Sequence, residues 1–184
     1  LVPQRILEYE TEDKEKENHG SGNNPQANQM VLIEAGESHS GCIDSLGRVY
    51  TWGAGGYCRT GHGAETDCCI PKQVDGLRST PCEMLAFGVL HSLALTRKGK
   101  VMGWGGGPAT GLLFPGEGLI SANPREVEIA DKDSFSANPD ASPPVVMQIA
   151  AGAMHSLALT TSGAIFAWGQ SGEGRLGLGA KQAA

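Results

Sequence analysis

Gly152-Ala-Met-His155-Ser156-Leu-Ala-Leu-Thr-Thr-Ser-Gly163-Ala-Ile-Phe-Ala-Trp168-Gly169 decides the reading of this chain, because the same frame occurs twice before it. Gly88, His91, Ser92, Gly99, Trp104 and Gly105 repeat its offsets, and so do Gly36, His39, Ser40, Gly47, Trp52 and Gly53. Residue types held at fixed offsets in three places define a repeat, and a unit of roughly fifty residues points to propeller blades or a similar stacked array.

Working outward from each frame, the residues after His read as one strand of a hairpin and those before Trp as the other. These pairs are His39–Ile43 with Arg48–Trp52, His91–Thr96 with Lys100–Trp104, and His155–Thr160 with Ala164–Trp168. A turn such as Asp44-Ser-Leu-Gly47 joins them, its Gly supplying the unusual dihedral. Large and small residues alternate in Leu93-Ala94-Leu95 and Leu157-Ala158-Leu159, as in strands packed closely against a second sheet. Met30–Ile33 reads as a strand preceding the first frame.

A glycine-rich loop follows Trp52 and Trp168, with Arg59 and Arg175 at matching offsets. The middle loop departs: Gly111 and Leu113 stand where the other copies have Arg and Gly. Strands with a leading proline close the units at Pro71–Val74 and at either Pro124–Val127 or Pro144–Val146, since a strand's first position needs no ladder donor. The fold expected is all-β, a partial propeller of about three four-stranded blades. Its units are near 30–80, 81–145 and 146–184, with residues 1–9 ending a preceding unit. Residues 10–29 read as a flexible acidic and polar insertion, because nothing there buries enough apolar surface to offset ordering. The stretch 131–143 reads as a second surface loop.

Composition narrows the function. Glycine supplies 27 of 184 residues without a three-residue period, and the formal charge is −6. Six acids between Glu8 and Glu17 face two lysines, and no basic stripe tracks a phosphate backbone. Direct nucleic-acid binding is therefore not expected, and a basic protein surface is the better electrostatic match. Five cysteines do not suggest a closed disulfide framework, and no apolar run is long enough for a membrane helix. An intracellular protein with reduced thiols, nuclear, cytoplasmic or organellar, is the expectation.

Several tempting sites read better as architecture. His39, His91 and His155 recur once per unit, each beside a serine, which suits satisfied structural histidines more than a metal or acid–base set. Trp52, Trp104 and Trp168 read as core between blades. Gly172-Glu-Gly174-Arg-Leu-Gly177 spells a dinucleotide fingerprint but lacks the strand before and helix after that the fingerprint requires. Cys58, His62, Cys68 and Cys69 lack paired ligand spacing, and adjacent Cys68 and Cys69 point opposite ways in a strand. Cys58 and Cys82 read as small buried fillers. No catalytic constellation, metal site or cofactor is expected. Contacts with a protein partner are placed in the loops, at Arg59, Arg175, Glu12, Asp13, Glu15 and Asp133, the two arginines reading equally well as structural pairs across blades.

The Ala35-Gly36-Glu-Ser-His39-Ser40, Leu90–Leu95 and Ala151–Leu159 stretches, the Trp-Gly pairs and Gly174-Arg-Leu-Gly177 resemble the repeats of the regulator of chromosome condensation family. The resemblance implies a seven-bladed β-propeller, of which this chain supplies about three blades, the rest being its immediate partners. Long inserted loops are similar to those of plant members. It also implies a range of functions: a non-catalytic scaffold or regulatory module first, and guanine nucleotide exchange on a small GTPase such as Ran as the alternative. Ultraviolet-B photoreception is a further alternative, although the Gly-Trp-Arg-His-Thr motif of that receptor is absent. Association with organellar RNA machinery is the remaining one.

Overall fold

A computed structural model describes residues 2–6, 29–111, 120–130 and 143–179. It contains three antiparallel sheets in chain order. The first is β1 (Met30–Ala35), β2 (His39–Asp44), β3 (Val49–Gly53) and β4 (Cys68–Gln73). The second is β5 (Cys82–Phe87), β6 (His91–Thr96), β7 (Val101–Gly106) and β8 (Ile120–Val127). The third, β9 (Val146–Ala151), β10 (His155–Thr160) and β11 (Ile165–Gly169), has three strands among the described residues. Within each sheet the strands pair in sequence order, so each sheet is a meander.

The repeat fixes the register. His39 faces Gly53, His91 faces Gly105 and His155 faces Gly169 across the central hairpins. A side chain on Gly53, Gly105 or Gly169 would run into the backbone of the opposing histidine. At the other end of the hairpin, the residue five after each histidine anchors the turn. Asp44 accepts the amides of Leu46 and Arg48 and pairs with the Arg48 guanidinium, while Thr96 and Thr160 accept the amides of Lys100 and Ala164.

The sheets pack face to face through two apolar clusters. One joins Ile43 and Val49 of the first sheet, and Val74 just after β4, to Leu85, Phe87 and Trp104 of the second. The other joins Leu93, Val101 and Val127 to Val146, Ile149 and Ala158 of the third. The leading strands β1, β5 and β9 meet across these seams, which places them on the inner side of the array. Burial of this kind, at about 25 cal/mol per Å² of apolar surface, is the main stabilising term.

Two sequence expectations change here. Pro71 and Pro124 lie inside β4 and β8, not at their starts. Both are outermost strands, and the pairing with the inner neighbour shifts register between Thr51 and Gly53 and between Gly103 and Gly105. An edge strand with a bulge tolerates a residue that cannot donate. Pro144 precedes β9 and belongs to no strand, so Pro124 is the closing proline. The insertion at 10–29, apart from Gln29, and the stretch 131–142 lie outside the described residues, as does Leu113.

Candidate functional site: the blade seams and the loop end

The frame residues converge at the seams. His39 Nε2 lies 2.8 Å from Ser92 Oγ, and His91 Nε2 lies 2.9 Å from Ser156 Oγ. Each histidine thus reaches the serine of the next blade, not the serine beside it in sequence. Ser92 donates its hydroxyl to Arg59 O at 2.6 Å, and Ser156 donates to Ala109 O at 2.8 Å. The same carbonyls accept the indole N–H of Trp104 at 2.9 Å and of Trp168 at 3.0 Å. One backbone oxygen of each loop therefore receives two donors from the following blade.

A serine hydroxyl has a single hydrogen. Since it goes to the carbonyl, Nε2 of each histidine must be the donor and Nδ1 the bare acceptor. Nδ1 of His39, His91 and His155 is buried without a hydrogen-bond partner. In the last two copies it lies against the glycine three residues earlier, where a Cβ on Gly88 or Gly152 would overlap the imidazole. The glycine of the frame is the space for the ring. Burial lowers the pKa of His39 and of His91 to about 4, aided by the charge of Arg59 and His91 on the first and of His155 on the second. Both rings are neutral near pH 7, and the one lone pair each keeps, on Nδ1, is buried inside the seam.

The middle loop requires a different alignment from the one its offsets suggest. A Cβ on Gly61 would meet Trp104 Nε1, and one on Gly111 would meet Trp168 Nε1, so these two glycines are equivalent. Ala109 then matches Arg59, and the middle loop is two residues shorter, built on a 3₁₀ turn at Pro108–Thr110 capped by left-handed Gly111. Offsets counted from tryptophan miss this deletion. The signal that finds it is the Thr-Gly pair shared by Thr60-Gly61 and Thr110-Gly111.

The structure places Arg59 inside the seam. Its Nε donates to Gly56 O at 2.8 Å and its Nη1 to Val89 O at 2.8 Å, so the guanidinium ties the first loop to the second blade. Arg175 makes the same local bond, to Gly172 O at 2.8 Å, and ion-pairs with Glu173 at the surface. Glu12, Asp13, Glu15 and Asp133, the other contact candidates, lie outside the described residues.

At the loop end of the blades, Glu37, Glu65, Asp67 and Glu173 are exposed. Two of them also cap backbone: Asp67 accepts Gly55 N and Glu65 accepts Tyr57 N. Tyr57 stands at the tip of its loop in the left-handed region, its side chain over Gly106, and remains well exposed. Its counterpart Glu173 has the same backbone conformation at the tip of the third loop. The Gly172–Gly177 run contains a short 3₁₀ turn, Gly172–Gly174, and among the described residues no helix follows it to hold a phosphate.

The five cysteines are unpaired, with Cys42, Cys58 and Cys82 buried; burial pushes the Cys82 thiol up to about 12. Among the described residues no three His, Cys, Asp or Glu are grouped to hold a metal. His62 bonds Thr51 at 3.1 Å. No helix among the described residues is long and apolar enough to cross a membrane.

Meander sheets packed face to face on a shared inner side, locked by one repeated set of donors, define a β-propeller array of about three blades. Its repeat is that of the regulator of chromosome condensation, the RCC1 repeat, which matches residues 47–95 and again residues 146–175. Among curated proteins, the ultraviolet-B receptor UVR8 of Arabidopsis thaliana is 30% identical over 151 residues, 82% of this chain and 32% of the receptor. The human E3 ubiquitin-protein ligase HERC2 is 33% identical over 156 residues, 83% of the chain and 3% of the ligase. Among solved structures, yeast RCC1 (Prp20), determined with Kap60 bound, aligns with a TM-score of 0.68 at 19% identity, over 83% of this chain and 34% of that one. Prp20p of Saccharomyces cerevisiae, in a second structure titled with its binding properties to Gsp1p and histones, gives 0.64 at 20% identity, over 82% and 35%. The chain thus spans about a third of the length of the receptor and of Prp20, and far less of the ligase.

Proposed function

We propose that these blades belong to a propeller that regulates a small GTPase by binding it, promoting nucleotide exchange without covalent chemistry of its own. The observation that carries this reading is the division of labour in the fold. In the inner seams the repeated His, Ser and Trp of the frame are consumed in hydrogen bonds between blades, so the side chains free to meet a partner are those of the loops.

Likeness of fold to Prp20, a protein studied for its binding to Gsp1p, supports the exchange alternative over an unspecified scaffold. Docking is assigned to the loop end. Among the described residues its exposed charges are acidic apart from the paired Arg175, and half-exposed Tyr57 offers an aromatic anchor to a basic partner surface. An intracellular setting that includes the nucleus goes with that partner.

The test is release of a fluorescent guanine nucleotide from a Ran-type GTPase, with catalytic amounts of the protein. Acceleration that weakens when Tyr57 becomes Ala is the expected result. Release at the intrinsic rate removes exchange, and binding without acceleration returns the chain to the scaffold reading.

A further inference from the structure

The two seams solve one packing problem in opposite ways. At the first, Phe87 lies on Gly41: a Cβ on Gly41 would stand 2.7 Å from Phe87 Cζ. Gly41 is the second residue after its histidine, and Phe87 is the residue before the next blade's glycine. At the second seam the equivalent positions are Leu93 and Ala151. Leu93 is fully buried in the cluster against which Ala151 packs. Small faces large in one seam and large faces small in the other, so each pair fills the same gap.

The faces of the first and third sheets that look away from these seams carry the same positions, with no sheet packed on them among the described residues. Ile33 is 80% exposed, whereas its equivalents Leu85 and Ile149 are 4% and 5% exposed. On the opposite face Ile165 is 72% exposed, against 1% for Val49 and for Val101. Beside Ile165 stands half-buried Leu157, in the position of Gly41 and Leu93, and beside Ile33 stands Ala35, in the position of Phe87 and Ala151. The side chains of Ser40 and Trp52, whose counterparts bond the preceding loop, make no hydrogen bond with a described residue, so the Ile33 face has the donors of a seam as well as its shape.

We infer that the size match between these two positions selects which blade can follow which. By continuity with the two inner seams, the Leu157 face takes a blade of the same repeat whose leading strand ends in a small residue before glycine. The Ile33 face takes a blade that presents a leucine-sized residue two places after its histidine. Within this chain Ala35 before Gly36 and Leu157 after His155 are the residues on these two faces to which the rule applies. The other blades of a longer propeller would meet the same rule.

Substitution in the second seam tests the rule. Ala151→Phe lowers the denaturation midpoint of the protein, because Leu93 already fills the space, and raises it when Leu93 is already Gly. The same sign in both backgrounds overturns the size match. Leu93→Ala with Ala151→Leu is the milder pair if the glycine variant does not fold, and the same reversal is required of it.

Discussion

Acidification loads the seams with charge they have no means to hold. His39 and His91 are neutral in the fold, with pKa values of about 4 against an ordinary 6.5. Between those values the unfolded chain binds protons that the folded chain refuses, so stability falls as pH falls. The contribution of each ring is intact above about 6.5 and gone below about 4. From pH near 7.5 to about 5, the loss is about 2 kcal/mol per ring, or about 4 kcal/mol together. Protonation would place a hydrogen on Nδ1, which is buried without an acceptor, and in the copies at His91 and His155 the ring lies against a glycine. The groups facing His39 are Arg59 and His91, both unfavourable to added charge, with the Phe87 ring 4.6 Å away. His39→Gln keeps a donor toward Ser92 and cannot titrate, so its variant should lose about 2 kcal/mol less over the same interval. Urea unfolding at several pH values measures both slopes. Glu34, whose carboxyl burial raises, opposes the trend in both proteins and cancels in the difference. Equal slopes for the two proteins would refute the neutral Nε2-donor assignment.

Arg59→Met should lower stability by about 1–2 kcal/mol through loss of the Val89 bond, measured by urea unfolding; an unchanged midpoint with weaker partner binding would make Arg59 a contact residue instead. Thr60→Val should be neutral or raise the midpoint, since the Thr60 hydroxyl is buried without a partner. Gly88→Ala should destabilise by about 3 kcal/mol or more, its methyl meeting the His91 ring. Gly163→Ala, where space is open and only the left-handed backbone resists, should cost about 1 kcal/mol in the same assay.

The blades were legible because a hairpin repeats its side-chain alternation and its turn residues at fixed spacing. Val49, Val101 and Ile165 fall at one offset, and so do Gly47, Gly99 and Gly163. The seams were less legible. A His-Ser dipeptide suggests a local pair, whereas the bond runs from His39 to Ser92, fifty-three residues away, because adjacent residues of a strand face opposite sides. The acceptor that completes each set is a backbone oxygen, which leaves no trace in residue type. For Arg59 a partner contact and a structural tie across blades were equally open for a related reason: the group it bonds, Val89 O, is also main chain. The two-residue deletion near Gly111 displaced every offset counted past it, and a proline within an edge strand looks in sequence like a proline at its start.

The seams listen to a carbonyl, and this sets what mutation is able to change. Ser92 with Trp104, and Ser156 with Trp168, fasten to the oxygen of whichever residue occupies the loop crest, arginine in one case and alanine in the other. The length of the loop before that residue can drift while the joint stays closed, and its side chain can change at the cost only of a tie of its own, such as that of Arg59 to Val89 O. A propeller wired this way can exchange the chemistry of its loops blade by blade, and new recognition can arise there without renegotiating the architecture beneath.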